Sequence, residues 1–388
     1  MEKKFGSIFV DKARSIYGNE FIPLHRPVFE GNERQYLIDC IDSNFVSSVG
    51  SKVDDFERKI AEYTGSKFAI ATVNGTSALH TAAVVCGVKK NDEVITQALT
   101  FVATCNAISY IGAHPVFIDV DRDTMGLSPR SLKLFLESNA KLCRGVAINK
   151  KTGRTISACI PMHTFGLPCR AKELSDICTE WNITLIEDAA ESLGSFIDGK
   201  HTGTFGTVGA ISFNGNKVIT TGGGGMLITD DADIAKRAKH ITTTAKTPHP
   251  YEFVHDAVGY NYRLPNLNAA LGCAQMEKFT EMLEIKRNLS ACWEELCKNE
   301  KVSFVKEIDG HISNYWLNAI ILDSAINRND FIEYTNKQGV MTRPIWTLMS
   351  NLSMFSDCLK DDLANSLWLQ DRVVNIPSSV PNGCLAKD

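Results

Sequence analysis

The sequence predicts an α/β protein built on a mainly parallel β-sheet with helices on both faces. Three observations carry this expectation. Runs such as "KFAIATV" (67–73) and "ITLIED" (183–188) are apolar along most of their length rather than alternating, as strands buried on both faces are. Between such runs lie segments of helical periodicity, so that strand and helix alternate along much of the chain. The helical segments also carry their own punctuation, opening at Ser128-Pro129 and closing at Gly87, residues suited to helix starts and stops.

The elements follow in order. Strand 67–73 leads to the helix "TSALHTAAVVCGV" (76–88), then to strand "DEVITQ" (92–97), helix "FVATCNAISYIG" (101–112) and strand "HPVFIDV" (114–120). Helix 128–139, strand "TISACIPMH" (155–163), helix "AKELSDICTEWN" (171–182) and strand 183–188 continue the alternation. After "GAISFN" (209–214) and "GMLITD" (225–230) comes the helix "DADIAKRAKHITT" (231–243). The polar stretch 244–266 has little periodicity, and loops of that length are more often functional than idle. One long amphipathic helix is expected over 268–299, followed by a smaller α+β unit with strands near "NYWLNAIIL" (314–322) and "GVMTRPI" (339–345). The expected division is therefore a large domain, 1–264, and a small C-terminal domain, 265–388.

Composition narrows the function. A length of 388 residues suits two domains. A net charge of −4 without a basic cluster gives no footprint for nucleic acid or an anionic membrane. No apolar run approaches the roughly 20 residues of a membrane span, and "MEKKFGSIFVDKARS" lacks the apolar stretch of a signal peptide; a soluble, cytoplasmic protein is expected. The 12 cysteines are scattered and read as free thiols. Cys159 and His163 have no further ligands at metal-site spacing, so no metal is expected.

In parallel α/β sheets, ligands bind beyond the carboxyl ends of the strands. Three features fall there. In "VNGTSALH", Gly75, Thr76 and Ser77 open a helix after a strand and offer amides, hydroxyls and a positive dipole end to a phosphate; equally, Thr or Ser there caps the helix. Asp188 ends "ITLIED", either capping the next element or holding a positive charge on a ligand. Lys217, in "SFNGNKVITTGGGGM" (212–226), is either a solvated turn residue or a nucleophilic amine beside a backbone that packs closely. A phosphate cradle, a carboxylate and a lysine are the three groups that pyridoxal 5′-phosphate (PLP) needs, and their shared placement at strand ends favours that reading.

The stretches "NGTSALH", "TFVATCNAISYIGAHPVFIDVD", "EDAAESLGS", "SFNGNKVITTGGGGM" and "GYNYRLPNLNAALG" together resemble the DegT/StrS-type PLP-dependent nucleotide-sugar aminotransferases. These belong to the fold type I, aspartate aminotransferase-like superfamily, and the resemblance runs from "FIPLHRPVFEGNE" to "RPIW", nearly the whole chain. It implies a mostly parallel seven-stranded sheet and a homodimer with active sites at the interface. It also implies that Lys217 forms the Schiff base, Asp188 partners the pyridine nitrogen, and Gly75, Thr76, Ser77 and Ser212 hold the phosphate. Phe101 takes the position of an aromatic stacked on the ring, and Asn261, with Arg263 as a companion, that of a residue reaching the neighbouring subunit's phosphate. His163 and Arg343 are read as substrate contacts, or alternatively as a structural histidine and a packing ion pair.

Three positions depart from the family pattern. Glu191 stands where Gln or His is usual near the coenzyme hydroxyl, Gly223 replaces a glutamate in Gly-Glu-Gly-Gly, and "RPIWTLMSNLSMF" lacks the Pro and His that often follow Arg-Pro. Together with "PMHTFG" and "TAKTPHPYEFVHD", the last two departures resemble a subgroup that aminates carbon four of a UDP-linked 4-keto-6-deoxy-N-acetylhexosamine, toward N-acetylbacillosamine and legionaminic acid. The implied reaction is a ping-pong transfer from glutamate. Another NDP-keto sugar, GDP- or dTDP-linked, and a PLP-binding regulator without turnover are the alternatives.

Overall fold

The computed structural model describes residues 2–385. Its central sheet has seven strands: β1 (Phe68–Thr72), β2 (Glu93–Gln97), β3 (His114–Ile118), β4 (Ile156–Ile160), β5 (Thr184–Asp188), β6 (Val208–Ser212) and β7 (Gly225–Thr229). They lie in the order β1-β7-β6-β5-β4-β2-β3. Pairs β6–β5, β5–β4, β4–β2 and β2–β3 are parallel, and only β7 runs against its neighbours β1 and β6. The mostly parallel, seven-stranded sheet expected from the sequence is present.

Twelve α-helices are assigned among the described residues: α1 (Glu2–Tyr17), α2 (Glu33–Asp42), α3 (Ser51–Thr64), α4 (Gly75–Val85), α5 (Val102–Tyr110), α6 (Pro129–Asn139), α7 (Ala171–Glu180), α8 (Ala232–Thr242), α9 (Asn266–Glu277), α10 (Phe279–Glu300), α11 (Ala325–Lys337) and α12 (Ala364–Gln370). One sheet face is covered by α4, α5 and α8 through Leu79, Ala82, Ile108 and Ile241. On the other face α6 and α7 bury Leu132, Leu136, Leu174 and Cys178, and α3 and α9 bury Phe56, Ile60 and Ala269. Helix α4 is apolar nearly all round and sits inside the protein, as such helices do. Its start is fixed by Asn74, whose side chain accepts the Ser77 amide at 2.8 Å.

A second sheet joins β8 (Ser303–Phe304), β9 (Asn318–Ile321), β10 (Arg343–Pro344) and β11 (Val373–Ile376) in the order β8-β9-β11-β10. Its core includes Phe9 and Val10 of α1, Trp293 of α10 and Phe331 of α11. Packing thus crosses the 264/265 division twice: α1 joins the C-terminal core, while α9 lies in the core of the large sheet.

The single helix expected over 268–299 is two helices. The chain turns at Lys278 (φ −103°, ψ 3°). The small residues of α9 press it onto α3; a Cβ at Gly272 would sit 2.7 Å from the Phe56 ring. Helix α10 then leaves for the second sheet, and these two destinations require the break. Segment 244–266 stays irregular up to α9, apart from isolated bridges such as Thr243–Asn261 and Lys246–His255. All 12 cysteines are free. Among the described residues no helix is long and apolar enough to cross a membrane, and no His/Cys/Asp/Glu cluster could hold a metal.

Candidate active site

A cleft of about 320 Å³ opens beyond the carboxyl ends of the parallel strands. Its lining brings together Gly75 and Thr76 after β1, Phe101 after β2, Asp188 at the end of β5, Ser212 at the end of β6, and Glu191 and Lys217. Seven of the residues singled out in the sequence therefore meet at one place.

Lys217 ends a tight turn in which its amide donates to the Asn214 carbonyl at 3.0 Å. Its side chain is only 13% exposed, and Nζ lies 3.2 Å from Glu191 Oε1. The Trp316 ring forms the other wall, 3.7 Å from Nζ to the ring centroid. The solvated-turn alternative does not describe this lysine. Of the four following glycines, Gly222 has φ +80°, a Cβ at Gly224 would sit 2.2 Å from Thr221 Oγ1, and one at Gly225 would sit 2.4 Å from the Asn74 carbonyl. A Cβ at Gly223 would meet nothing closer than the Val73 carbonyl at 3.8 Å, so packing does not demand glycine there.

Asp188 is 2% exposed. Thr104 of α5 donates to its Oδ2 at 2.7 Å, and the Ala190 amide to its Oδ1 at 3.2 Å. Burial raises its pKa against these hydrogen bonds, because both donors are neutral and do not fully replace water. Glu191 is also buried; its Oε2 accepts the Phe165 amide at 2.9 Å. Burial pushes its carboxyl up to about 7 despite the attraction of Lys217.

At the start of α4 the amides of Gly75 and Thr76 have no carbonyl one turn back within the helix. A Cβ at Gly75 would sit 2.8 Å from the Ser212 Cβ, so the helix end and Ser212 are in close contact. Ser77 is buried, its amide taken by Asn74. Phe101 is 49% exposed at the mouth, its ring 6.2 Å from that of Trp346; it is not a core residue.

The remaining predicted residues lie outside this lining. His163 is fully buried: Nε2 meets Glu187 Oε2 at 3.0 Å, and Nδ1 accepts the Cys169 amide at 3.1 Å. Both ring nitrogens are committed, so of its two readings the chain's own packing matches the structural one. Arg343 is exposed, hydrogen-bonded to Asn336 Oδ1 at 3.0 Å rather than to a carboxylate. Asn261 and Arg263 are exposed on the irregular segment, with Arg263 Nη2 3.4 Å from Asn261 Oδ1. Sequence reasoning missed Asn74, Thr104, Trp316 and Trp346. Asn74 was legible as a cap before α4, whereas Trp316 sat inside a stretch that read simply as a strand.

The lining complements one coenzyme. Asp188 is a buried anion with only neutral donors, suited to a protonated pyridine nitrogen. The α4 start offers unpaired amides to a phosphate, and Lys217 is a shielded amine beside a carboxylate that can take its proton. Fold and cleft together define a PLP-dependent enzyme of fold type I.

Residues 27–381 match the DegT/DnrJ/EryC1/StrS aminotransferase family, and the chain belongs to that family, as a sugar aminotransferase. It is 35% identical over 339 residues to EpsN of Bacillus subtilis (strain 168), a candidate pyridoxal phosphate-dependent aminotransferase, covering 87% of this chain and 84% of EpsN. It is 35% identical over 362 residues to the GDP-perosamine synthase of Vibrio cholerae, covering 92% and 94%. The X-ray structure of an aminotransferase from Psychrobacter cryohalolentis superposes with a TM-score of 0.82 at 25% identity, covering 95% of each chain.

Proposed function

We propose that this enzyme moves an amino group from glutamate to carbon four of UDP-2-acetamido-2,6-dideoxy-hexos-4-ulose, giving UDP-N-acetylbacillosamine. The observation that carries the transaminase chemistry is the meeting of Lys217, Glu191 and Asp188 in one cleft. The resemblance of "NGNKVITTGGGGM" and "TAKTPHPYEFVHD" to the UDP-sugar subgroup supports the substrate. A second reading, a GDP-linked 4-keto-6-deoxyhexose, is favoured by the identity to GDP-perosamine synthases.

PLP, when bound, supplies an aldehyde and an electron-drawing ring. The chain's residues do the rest. Asp188 would keep the ring nitrogen protonated; the Gly75 and Thr76 amides, with the Ser77 and Ser212 hydroxyls, would hold the phosphate; Phe101 would cover the ring. Lys217 Nζ is the covalent anchor and, once free and neutral, the base and acid that moves the substrate proton. Glu191 Oε1, 3.2 Å away, receives the proton that Nζ must lose first. Burial raises its carboxyl to about 7, so it is a better proton acceptor than an ordinary carboxylate.

Assembly completes this reading. Tyr251 and Phe253 are 81% exposed and Val258 is 85% exposed, apolar side chains that a second copy would cover, and Asn261 and Arg263 follow on the same irregular segment. The proposed homodimer places Asn261 against the neighbouring subunit's phosphate site, and a cytoplasmic setting suits a nucleotide-sugar substrate. The test is a panel of UDP-, GDP- and dTDP-linked 4-keto sugars with glutamate, read by mass spectrometry. Amination of the 2-acetamido UDP sugar supports the proposal. Amination of only the GDP sugar selects the second reading, and an absence of 2-oxoglutarate with every sugar and donor leaves a PLP-binding regulator.

A further inference from the structure

We infer that Trp316 is a positioning residue for Lys217, the resting wall against which its amine is held whenever it is not bonded to the coenzyme. The inference rests on the proposed role of Lys217 as the covalent anchor and adds a residue that reaches the cleft from the C-terminal unit.

Four contacts fix Trp316 in this position. Its ring face lies 3.7 Å from Nζ, a distance at which an ammonium is attracted to the ring quadrupole. Its Nε1 donates at 2.6 Å to the carbonyl of Asn216, the residue immediately before the lysine. One side chain thus holds both the tip of Lys217 and the backbone turn that carries it. From behind, the buried Lys286 Nζ donates to the Trp316 carbonyl at 3.2 Å and to the Ser378 carbonyl at 2.6 Å. Asn314 Oδ1 accepts the Trp316 amide at 2.7 Å.

Asn314 also ties this wall to the opposite one. Its Nδ2 donates to the carbonyls of Glu191 and Leu193 at 2.8 and 2.9 Å. The aromatic ring and the carboxylate that flank the amine are therefore coupled through one buried amide. Between Asn314 and Trp316, Tyr315 has φ +45°, a left-handed conformation unfavourable for a bulky side chain. Strain of this kind persists where surrounding contacts over-determine it, and it gathers at functional sites. A lysine side chain has four rotatable bonds and many rotamers; ring, carboxylate and fixed turn confine them.

The test uses cofactor-stripped full-length protein: wild type, Trp316→Leu and Trp316→Phe. PLP capture is followed by absorbance from pH 6 to 10, and borohydride reduction with peptide mass mapping locates the modified residue. Pyridoxamine phosphate, which makes no bond to the lysine, is titrated in parallel and reports an intact cleft. The limiting rate that the profile extrapolates to for the unprotonated amine is the plateau that reports placement alone. Trp316→Leu is expected to lower that plateau roughly ten-fold, and Trp316→Phe, which keeps a ring face but loses the Nε1–H, roughly three-fold. Pyridoxamine phosphate affinity should stay within about two-fold in both.

An unchanged plateau in Trp316→Leu, or an equal loss of pyridoxamine phosphate binding, overturns the positioning role. Wild-type protein that binds PLP without modification at Lys217 would instead overturn the anchor assignment, and the role of Trp316 with it.

Discussion

Glu187 and Asp188 are consecutive carboxylates on β5, both buried, and strand alternation sends them to opposite faces of the sheet. Glu187 collects four donors: the Gly203, Phe205 and Gly206 amides at 2.7, 2.6 and 2.7 Å, and His163 Nε2 at 3.0 Å. Burial alone would raise its pKa, but His163 and the amides outweigh it and hold the carboxylate ionised. Asp188, facing the cleft, has a hydroxyl and a single amide, and its pKa is raised. The difference separates a charge satisfied by its own protein from one left waiting for a ligand. Similar burial carries opposite meaning, decided by the number of donors each carboxylate collects.

Substitution breaks this comparison most sharply. Glu187→Gln strips charge from a hub that fixes the 203–206 loop to β5. It should cost the cofactor-free protein about 3–5 kcal/mol in urea denaturation, the scale of breaking a buried pair. Asp188→Asn should leave that unfolding curve within about 1 kcal/mol, yet lower the transamination rate at least ~100-fold, the scale of losing an electrostatic group at the reacting centre. Equal destabilisation by both would remove the distinction.

The next effect concerns pH. Glu191 has a folded pKa of about 7, above its ordinary value, so between about pH 4.5 and 7 the folded state binds more protons than the unfolded one. Stability from this group is therefore lost as pH rises through that window, by on the order of 3 kcal/mol. Glu187, with its depressed pKa, acts in the opposite sense, its stabilisation fully present above the ordinary carboxylate range and lost only as pH falls below it. Glu191→Gln should remove the loss on the alkaline side, seen as a flatter Tm between pH 5 and 8 in cofactor-free protein. A wild-type profile in that variant would reject the ionisation of Glu191 as its cause.

The smallest effect falls on Thr104. Thr104→Val deletes the hydroxyl that orients Asp188 and should weaken PLP binding about ten-fold, the worth of one hydrogen bond to a charged group. Thr104→Ser should restore most of it, measured by titrating stripped protein with PLP. Failure of serine to rescue would make the contact one of methyl packing.

Much of the sheet was legible because apolar, β-branched runs announce strands whatever surrounds them. Asp188, Ser212 and the Gly75 turn were likewise legible as strand-end residues. The break at Lys278 was not, because periodicity continues through it and only the separate docking of α9 and α10 requires a turn. His163 was ambiguous for a similar reason: a histidine at a strand end reads the same whether it faces the cleft or Glu187. Thr104 looked like any helical threonine, and nothing in "SNYWLN" signals a left-handed Tyr315.

By itself, the sequence determined the alternation of strand and helix and the order in which amide-rich turn, carboxylate and lysine come along the chain. Those properties depend on local periodicity and covalent order. The tertiary structure decided that β7 runs against its neighbours, that Glu187 and Asp188 face different partners, and that Lys217 rests between Glu191 and Trp316. These contacts join positions as far apart as the 100 residues between Asn216 and Trp316. Such distances close only when the buried faces of all the elements are packed at once.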